Sequence, residues 1–488
     1  MQLARTPLAA FGVVLTTACA LLFVLALGVE SYGLIENPYV GILIYGALPV
    51  GFAFGLALVF IGNLIGRRRG VTEVRWPVLD LSKRGQRVFA LGLVAASIVN
   101  IVIFAMAGVG AIHYMETPAF CGQVCHQVMQ PEFIGHEQGP HANVTCVSCH
   151  VGSGAGALVQ SKLDGMRRLR GFIMGDYQRP IPTPVADLRP ARDTCGTCHW
   201  PEKIHGNKLR VVKEYADDEA VSETVTTLEV KVGGGSHVTG VGEGIHWHMN
   251  VQNRIEFVST DATREDIQYV KMTRADGSVR EWRKPGVTDA QVAAGVRRVM
   301  DCTDCHNRPS HTFSASAERA VDRAIADGQL PRTVPFVRRE VVKAVKTDAA
   351  TSDEALAAIE RSLRTFYGGA DLASRPAAGD LDRVVTAAKA LYSGNVFPQM
   401  KITWGTYKNH IGHMDSPGCF RCHDDKHKTA LGQKVRSSDC NSCHTIISQG
   451  KGSELDALTA KGLTFAHPEG ELDAELSCSD CHNGGIQK

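Results

Sequence analysis

The chain has 488 residues, 52 Lys+Arg against 50 Asp+Glu, 44% apolar residues, 15 Cys and 19 His. A net charge of +2 gives no basis for a nucleic-acid partner, and 21% charged residues in a sequence of ordinary complexity exclude wholesale disorder. Nearly all the long apolar runs precede residue 113 and all cysteines but one follow it, so a membrane part precedes a cysteine-rich soluble part.

In chain order, three apolar stretches come first: Leu8 to Val29, Tyr39 to Ile65 and Phe89 to Ile112. Each exceeds the ~20 residues that a helix rising ~1.5 Å per residue needs to cross a ~30 Å hydrocarbon core. The first is read as a retained helix rather than a signal peptide, because its apolar run is longer than an h-region and no small-residue cleavage site follows. Its Cys19 is expected in lipid as a small apolar residue. Pro49 and Asn100 read as a helix kink and an interhelical hydrogen bond. The segment between the second and third spans carries Arg67, Arg68, Arg69, Arg75, Lys83, Arg84 and Arg87, whereas the loop Glu30 to Pro38 has no Lys or Arg. The positive loop belongs in the cytoplasm, which places everything after about Ile112 outside it.

The remaining 14 cysteines form pairs, each followed directly by His. Six pairs read Cys-x-x-Cys-His: Cys146/Cys149/His150, Cys195/Cys198/His199, Cys302/Cys305/His306, Cys419/Cys422/His423, Cys440/Cys443/His444 and Cys478/Cys481/His482. The first in the chain, Cys121/Cys125/His126, has one extra residue between its cysteines. This is the attachment signature of c-type haem: two thiols on one turn add to the two vinyl groups, and the adjacent His is placed under the ring to ligate iron. Zinc ribbons, disulfides and thioredoxin-like pairs do not ask for a His after every pair. Seven covalently bound haems on the 376 residues after Ile112 leave too little chain for an ordinary core. The porphyrins must themselves be the core, close enough to one another for electron hopping.

Between the third and fourth motifs the pattern changes to period two, over Thr224 to Val232, Arg254 to Thr260, Ile267 to Thr273 and Ser278 to Arg283, with a hairpin signal at Asp276-Gly277. The glycine-rich Gly233 to Gly244 loop lacks the order of a phosphate-binding motif. From Asp289 to about Met400 the period is helical, over Ala317 to Ile325, Val337 to Val345, Glu354 to Phe366 and Leu381 to Leu391. The last 70 or so residues hold three motifs and little expected secondary structure. The expected organisation is therefore a three-helix anchor (1–112), a three-haem region (113–215), a β-rich insertion (216–288), a helical region with one haem (289–400) and a C-terminal three-haem region (401–488). The fold class is three transmembrane helices followed by an extracytoplasmic multihaem cytochrome c domain of helix and coil.

Twelve histidines remain outside the motifs. The favoured distal ligands are His141, His246, His248, His311, His413, His427 and His467. Met129 is a further candidate for the first iron. The motif histidines His126, His150, His199, His306, His423, His444 and His482 are the proximal ligands.

The stretch from Phe120 to Phe172 reads FCGQVCHQVMQPEFIGHEQGPHANVTCVSCHVGSGAGALVQSKLDGMRRLRGF: the first motif followed by a Met, a GPH element ahead of the second motif, and a downstream Lys. It resembles the NapC/NirT family of membrane-anchored quinol dehydrogenases, and the resemblance covers about 100 residues. It implies quinol oxidation at the membrane face beside the first haem, with Met129 as axial ligand, His141 as distal ligand and Lys162 at the quinol site. The family usually has one span and four haems. The order of three spans and seven motifs is similar to that of an inner-membrane cytochrome family of metal-respiring bacteria.

The function expected is a quinol dehydrogenase of the bacterial inner membrane. It spans the lipid bilayer several times, with its haem region in the periplasm, and passes electrons from membrane quinol, menaquinol above all, to periplasmic c-type cytochromes in anaerobic or metal respiration. Such chemistry needs proton acceptors, for which Lys162, His113 and Asp164 are the candidates, with Glu116 nearby. The alternatives are a haem-bearing electron-transfer subunit of a larger respiratory complex and a terminal oxyanion reductase. The reductase is disfavoured because no Cys-x-x-Cys-Lys variant occurs and histidines suffice to close every iron.

Overall fold

The computed structural model describes residues 6–31, 47–68, 81–124, 126–151, 155–184, 190–199, 206–233, 244–250, 253–369, 375–435 and 440–464. Cys125, Cys478, Cys481, His482 and His467 lie outside the described residues, as do the side chains of His126, Lys162 and Cys440 and all but the ends of the Gly233 to Gly244 loop. The chain divides into two compact units, Met1–Gln130 with Thr145–Val147, and Pro131–Val144 with Ser148–Lys488.

Three helices in the first unit are long and apolar enough to cross a membrane: α1 (Pro7–Ser31), α2 (Leu48–Arg68) and α3 (Arg84–Glu116). The first two approach closely because small residues face each other. A Cβ on Gly12 would lie 2.6 Å from the Gly55 carbonyl, and one on Gly55 would lie 2.4 Å from the Thr16 hydroxyl. Backbones this close gain dispersion contacts without a hydrophobic driving force between them. Cys19 is buried against Gly51 in this seam, so it fills a helix interface rather than facing lipid. Pro49 falls in the first turn of α2, where a missing N–H costs nothing. The Asn100 amide donates to the Ala96 carbonyl of its own helix at 2.9 Å, so it is satisfied within α3 rather than across helices.

In the second unit, helix α4 (His126–Glu137), which begins in the first, is followed by α5 (Ala155–Met174). A bundle is formed by α6 (Ala317–Ala326), α7 (Val337–Val345), α8 (Ser352–Gly369) and α9 (Ala378–Asn395). Its buried positions recur every three or four residues: Ala317, Ala320, Val321, Ala324 and Ile325 on α6, and Ala355, Ile359, Leu363 and Tyr367 on α8. The Ser316 hydroxyl caps α6 by accepting from the Arg319 N–H at 3.2 Å. These side chains form an ordinary aliphatic core, which corrects the expectation that porphyrins alone supply the interior. The stretch 289–400 carries a single motif and so has chain to spare for side-chain packing.

Two antiparallel sheets flank the motifs. The first has the order β1 (Lys208–Tyr215), β2 (Glu223–Val230), β7 (His444–Gly450). The last of these follows the sixth motif, a segment with no period-two signal in the sequence. Pairing with β2, in register Val230 to His444, is what makes it a strand. The second sheet has the order β5 (Val279–Arg283), β4 (Ile267–Arg274), β3 (Asn253–Ser259), β6 (Val296–Val299). Strands β4 and β5 are joined at Asp276-Gly277, where Gly277 has φ +80° and the Asp276 carboxylate accepts from the Ser278 N–H at 2.8 Å.

Candidate functional site

Four of the cysteine motifs fold as one tight turn. Cys146–His150 is a short helix. In Cys195–His199, Cys302–His306 and Cys419–His423 the His N–H donates to the first Cys carbonyl at 2.7, 2.8 and 3.0 Å. The two sulfurs, at i and i+3, and the imidazole, at i+4, thus share one side of the chain, as two thioether bonds and an iron ligand on a single ring require. At the fourth motif Asp301 accepts from the Cys302 N–H at 2.7 Å, and the buried Asp304 takes the Asp301 N–H at 2.7 Å as well as Arg264 and Arg298. In the first motif Cys121 lies on a π-helical turn, Phe120–Val124, whose wider i→i+5 repeat accommodates the extra residue.

The second cysteines of the motifs differ in how far they reach inward. Cys149, Cys305 and Cys422 are half-buried, whereas Cys198 and Cys443 are exposed. Cys198 follows the short helix Ala191–Cys195 beside exposed Thr197, Cys443 follows the 3₁₀ turn Cys440–Ser442 beside exposed Ser442, and Cys149 is preceded by exposed Ser148.

Five motif histidines each face a second histidine distant in sequence. The ring centroids are 6.1 Å apart for His150 and His311, 5.9 Å for His199 and His141, 6.4 Å for His306 and His246, 5.9 Å for His423 and His248, and 6.2 Å for His444 and His413. A metal–imidazole bond is about 2 Å and the ring centre lies roughly 1 Å behind the nitrogen, so two imidazoles on opposite sides of one ion have centres roughly 6 Å apart. At this spacing the two histidines of each pair could hold one iron between them.

The second ring nitrogen gives an independent test. Nδ1 lies 3.0 Å from the Pro309 carbonyl in His141, 3.1 Å from that of Val232 in His246, 2.8 Å from that of Ile245 in His248 and 2.8 Å from that of Glu132 in His311. A carbonyl can only accept, so Nδ1 carries the proton and Nε2 presents its lone pair, the arrangement found behind metal-bound histidines. Burial also lowers the pKa of His248, His311 and His444, which favours the neutral imidazole that ligates.

The sites are knitted together by short segments. The loop after His306 supplies His311 to the second motif and the Pro309 carbonyl to His141. It is held by Arg308, which pairs with Glu132 at 2.8 Å and lies over the Tyr407 ring at 3.9 Å. The Cys302 thiol donates to the Cys195 sulfur, which draws the Cys195 thiol down to about 7 and brings the third and fourth attachment points into contact. Buried Arg421, inside the fifth motif, donates to the carbonyls of Gly418, Arg264 and Asp304 and so ties the fifth motif to the fourth. Its neighbour Phe420 stacks on His413 at 4.6 Å. None of Arg308, Phe420 and Arg421 was marked by pattern or spacing, since their roles depend on partners far along the chain.

The other expected residues are placed as follows. His427 is fully buried with both nitrogens engaged, Nδ1 with Asp424 at 2.8 Å and Nε2 with the Ile267 carbonyl at 3.0 Å, which leaves no lone pair for a metal. His136, not among the favoured ligands, is buried 6.3 Å from the His311 ring with its Nε2 on the Val144 carbonyl at 2.9 Å. Met129 is half-buried on α4, and His113 lies in the last turn of α3. Lys162 and Asp164 are on α5, where Asp164 pairs with Arg167 at 3.2 Å. That helix exposes Leu163, Met166, Leu169 and Ile173 beside Arg167, Arg168 and Arg170. Among the described residues no three His, Cys, Asp or Glu side chains converge as a zinc site would need, and no disulfide joins the described cysteines, Cys149, Cys198 and Cys443 included.

No protein-family model matches the chain, and no solved structure does. Among curated proteins it is 38% identical, over an alignment of 488 residues covering 98% of this chain and 94% of the relative, to the cytochrome c-type protein ImcH of Geobacter sulfurreducens. With that identity along nearly the whole length, three apolar helices and turn-closed Cys-x-x-Cys-His motifs, the chain belongs to the family of this c-type cytochrome, membrane-associated electron-transfer proteins with covalently bound haem.

Proposed function

We propose that this protein is an inner-membrane quinol dehydrogenase. It takes electrons from the quinol pool, menaquinol above all, and delivers them to periplasmic c-type cytochromes. The observation that carries the reading is the set of five facing histidine pairs, because a chain that closes its irons on both sides serves electron transfer rather than substrate binding. Seven covalent haems, one per motif, supply one-electron redox chemistry when bound. The protein's own contribution is to attach them by the cysteines, fix the imidazoles of His141, His246, His248 and His311 by Nδ1–H bonds to carbonyls, and hold neighbouring sites in contact.

Electron entry is assigned to the segment that follows α3, since Cys121 is only five residues beyond its end at Glu116. The exposed apolar residues of α5 flanked by arginines are what a helix lying in a membrane interface carries. In this reading the Lys162 ammonium hydrogen-bonds a quinone oxygen, and His113 or Asp164 accepts a proton. The anchor is 1–112 and the remainder of the chain lies in the periplasm.

The test is reduction of the purified holoprotein by a menaquinol analogue with no partner present. Full reduction at a rate that saturates with quinol supports the proposal. A protein reduced by dithionite but not by quinol would instead be an electron-transfer subunit that depends on another donor.

A further inference from the structure

Two of the facing histidines, His246 and His248, belong to one five-residue 3₁₀ turn, Ile245–Met249. Such a turn has three residues per revolution, so side chains at i and i+2 diverge by about 120° and enter different spaces. The His246 ring lies parallel to that of His306 of the fourth motif, with 5° between the planes, whereas His248 meets His423 of the fifth motif at 81°. Both have Nδ1 on a backbone carbonyl, so each presents Nε2 to its own partner.

The turn is fixed from three directions. The N–H groups of Ile245 and His246 donate to the carbonyls of Lys231 and Val232 at the exit of β2, at 2.9 and 3.0 Å. Trp247 packs on the core of the second sheet, and its carbonyl accepts from the Asn253 amide at 3.2 Å. Gly244, at φ +68°, precedes the turn with its ideal Cβ position 2.3 Å from the Lys231 carbonyl, so a side chain there cannot fit without moving the backbone.

We infer that the Ile245–Met249 turn is a two-iron clamp: His246 is the distal ligand at the Cys302/Cys305/His306 site, His248 is the distal ligand at the Cys419/Cys422/His423 site, and the rigid backbone between them makes the two sites one mechanical unit. The inference rests on the covalent haems of the reading above and not on quinol as their donor. Because both imidazoles hang from one anchored turn, a displacement that weakens one axial bond also acts on the other. Arg421 ties the two motifs together from the opposite direction.

The experiment uses full-length, detergent-solubilised holoprotein, with haem counted by pyridine haemochrome, low-spin signals read by electron paramagnetic resonance and potentials titrated with dithionite. His246→Met and His248→Met should each leave the haem count unchanged, remove one low-spin bis-histidine signal, a different one in each variant, and raise the potential of one haem. Gly244→Val, which displaces the turn without touching either ligand, should alter both of those signals together and leave the rest in place. Trp247→Ala, which removes only the anchoring ring, is read in the same way should Gly244→Val fail to mature. Unchanged spectra in His246→Met or His248→Met would remove that residue as a ligand. Anchor variants that alter one signal alone, or neither, would overturn the single mechanical unit. Dithionite as reductant keeps the tests separate: a protein that quinol does not reduce but whose two signals move together retains the clamp and loses only the proposed donor.

Discussion

At the residue scale, a histidine's role is decided by its second nitrogen. His311 and His427 are both surrounded by protein and both stand near a motif, yet His311 keeps Nε2 available while His427 spends both nitrogens on Asp424 and Ile267. His311→Ala should therefore convert one low-spin iron to a ligand-accessible form, seen as a CO-induced change in the reduced spectrum, with the haem count unaltered. His427→Ala should leave the iron signals as they are and instead lower stability by about 1–3 kcal/mol in urea unfolding, since a buried carboxylate loses its partner. Lys162→Leu belongs to the same scale. It should slow reduction by quinol and leave reduction by dithionite unchanged, and unaltered quinol kinetics would remove Lys162 from the proposed site.

At the scale of elements, the helices hold through two kinds of contact. In α1 and α2 the backbones touch through Gly12, Thr16 and Gly55, and Gly51 packs on the Cys19 sulfur, so there is no room for a larger side chain. Gly55→Leu should weaken the anchor by about 1–3 kcal/mol through overpacking, visible as a lower thermal aggregation temperature in detergent, while an exposed change such as Phe60→Leu on the same helix should not. In the α6–α9 bundle the hold comes from buried aliphatic side chains. Ile359, fully buried, should cost about 2–5 kcal/mol as Ala. The period-3.6 signal of these helices is strong in the sequence because every turn contributes to one core. Strand β7 has no such signal, since its neighbour β2 lies more than 200 residues earlier and its alternation is set by that pairing.

At the scale of the whole molecule, every cysteine but Cys19 belongs to an attachment motif, so intact mass should correspond to seven haems. A mass accounting for six would indicate that Cys121 and Cys125, with their extra residue, do not close on a porphyrin. In the proposed orientation, with the positive loop Arg67 to Arg87 in the cytoplasm, a reporter fused after Lys488 should be active outside the cytoplasm.

Three apolar spans and a covalent haem chemistry were legible in the sequence by itself, because both depend on residues close together in the chain: some 20 apolar side chains in succession, or two thiols and an imidazole on one turn. The pairing of histidines was not. His150 meets His311 and His444 meets His413 across separations that no local period encodes, and the two histidines flanking Trp247 in Ile245–Met249 face different motifs because a 3₁₀ turn sends them apart. Nor was the depth of each thiol: Cys149, Cys198 and Cys443 occupy the same motif position as Cys305 and Cys422, and what covers each is set by segments elsewhere in the chain. His427 matched the ligand candidates in composition and position, and only tertiary contacts with Asp424 and Ile267 withdraw both its nitrogens. Covalent attachment is a property of a short segment, while axial ligation on the far side is a contact between segments, and such contacts exist only once the chain has folded.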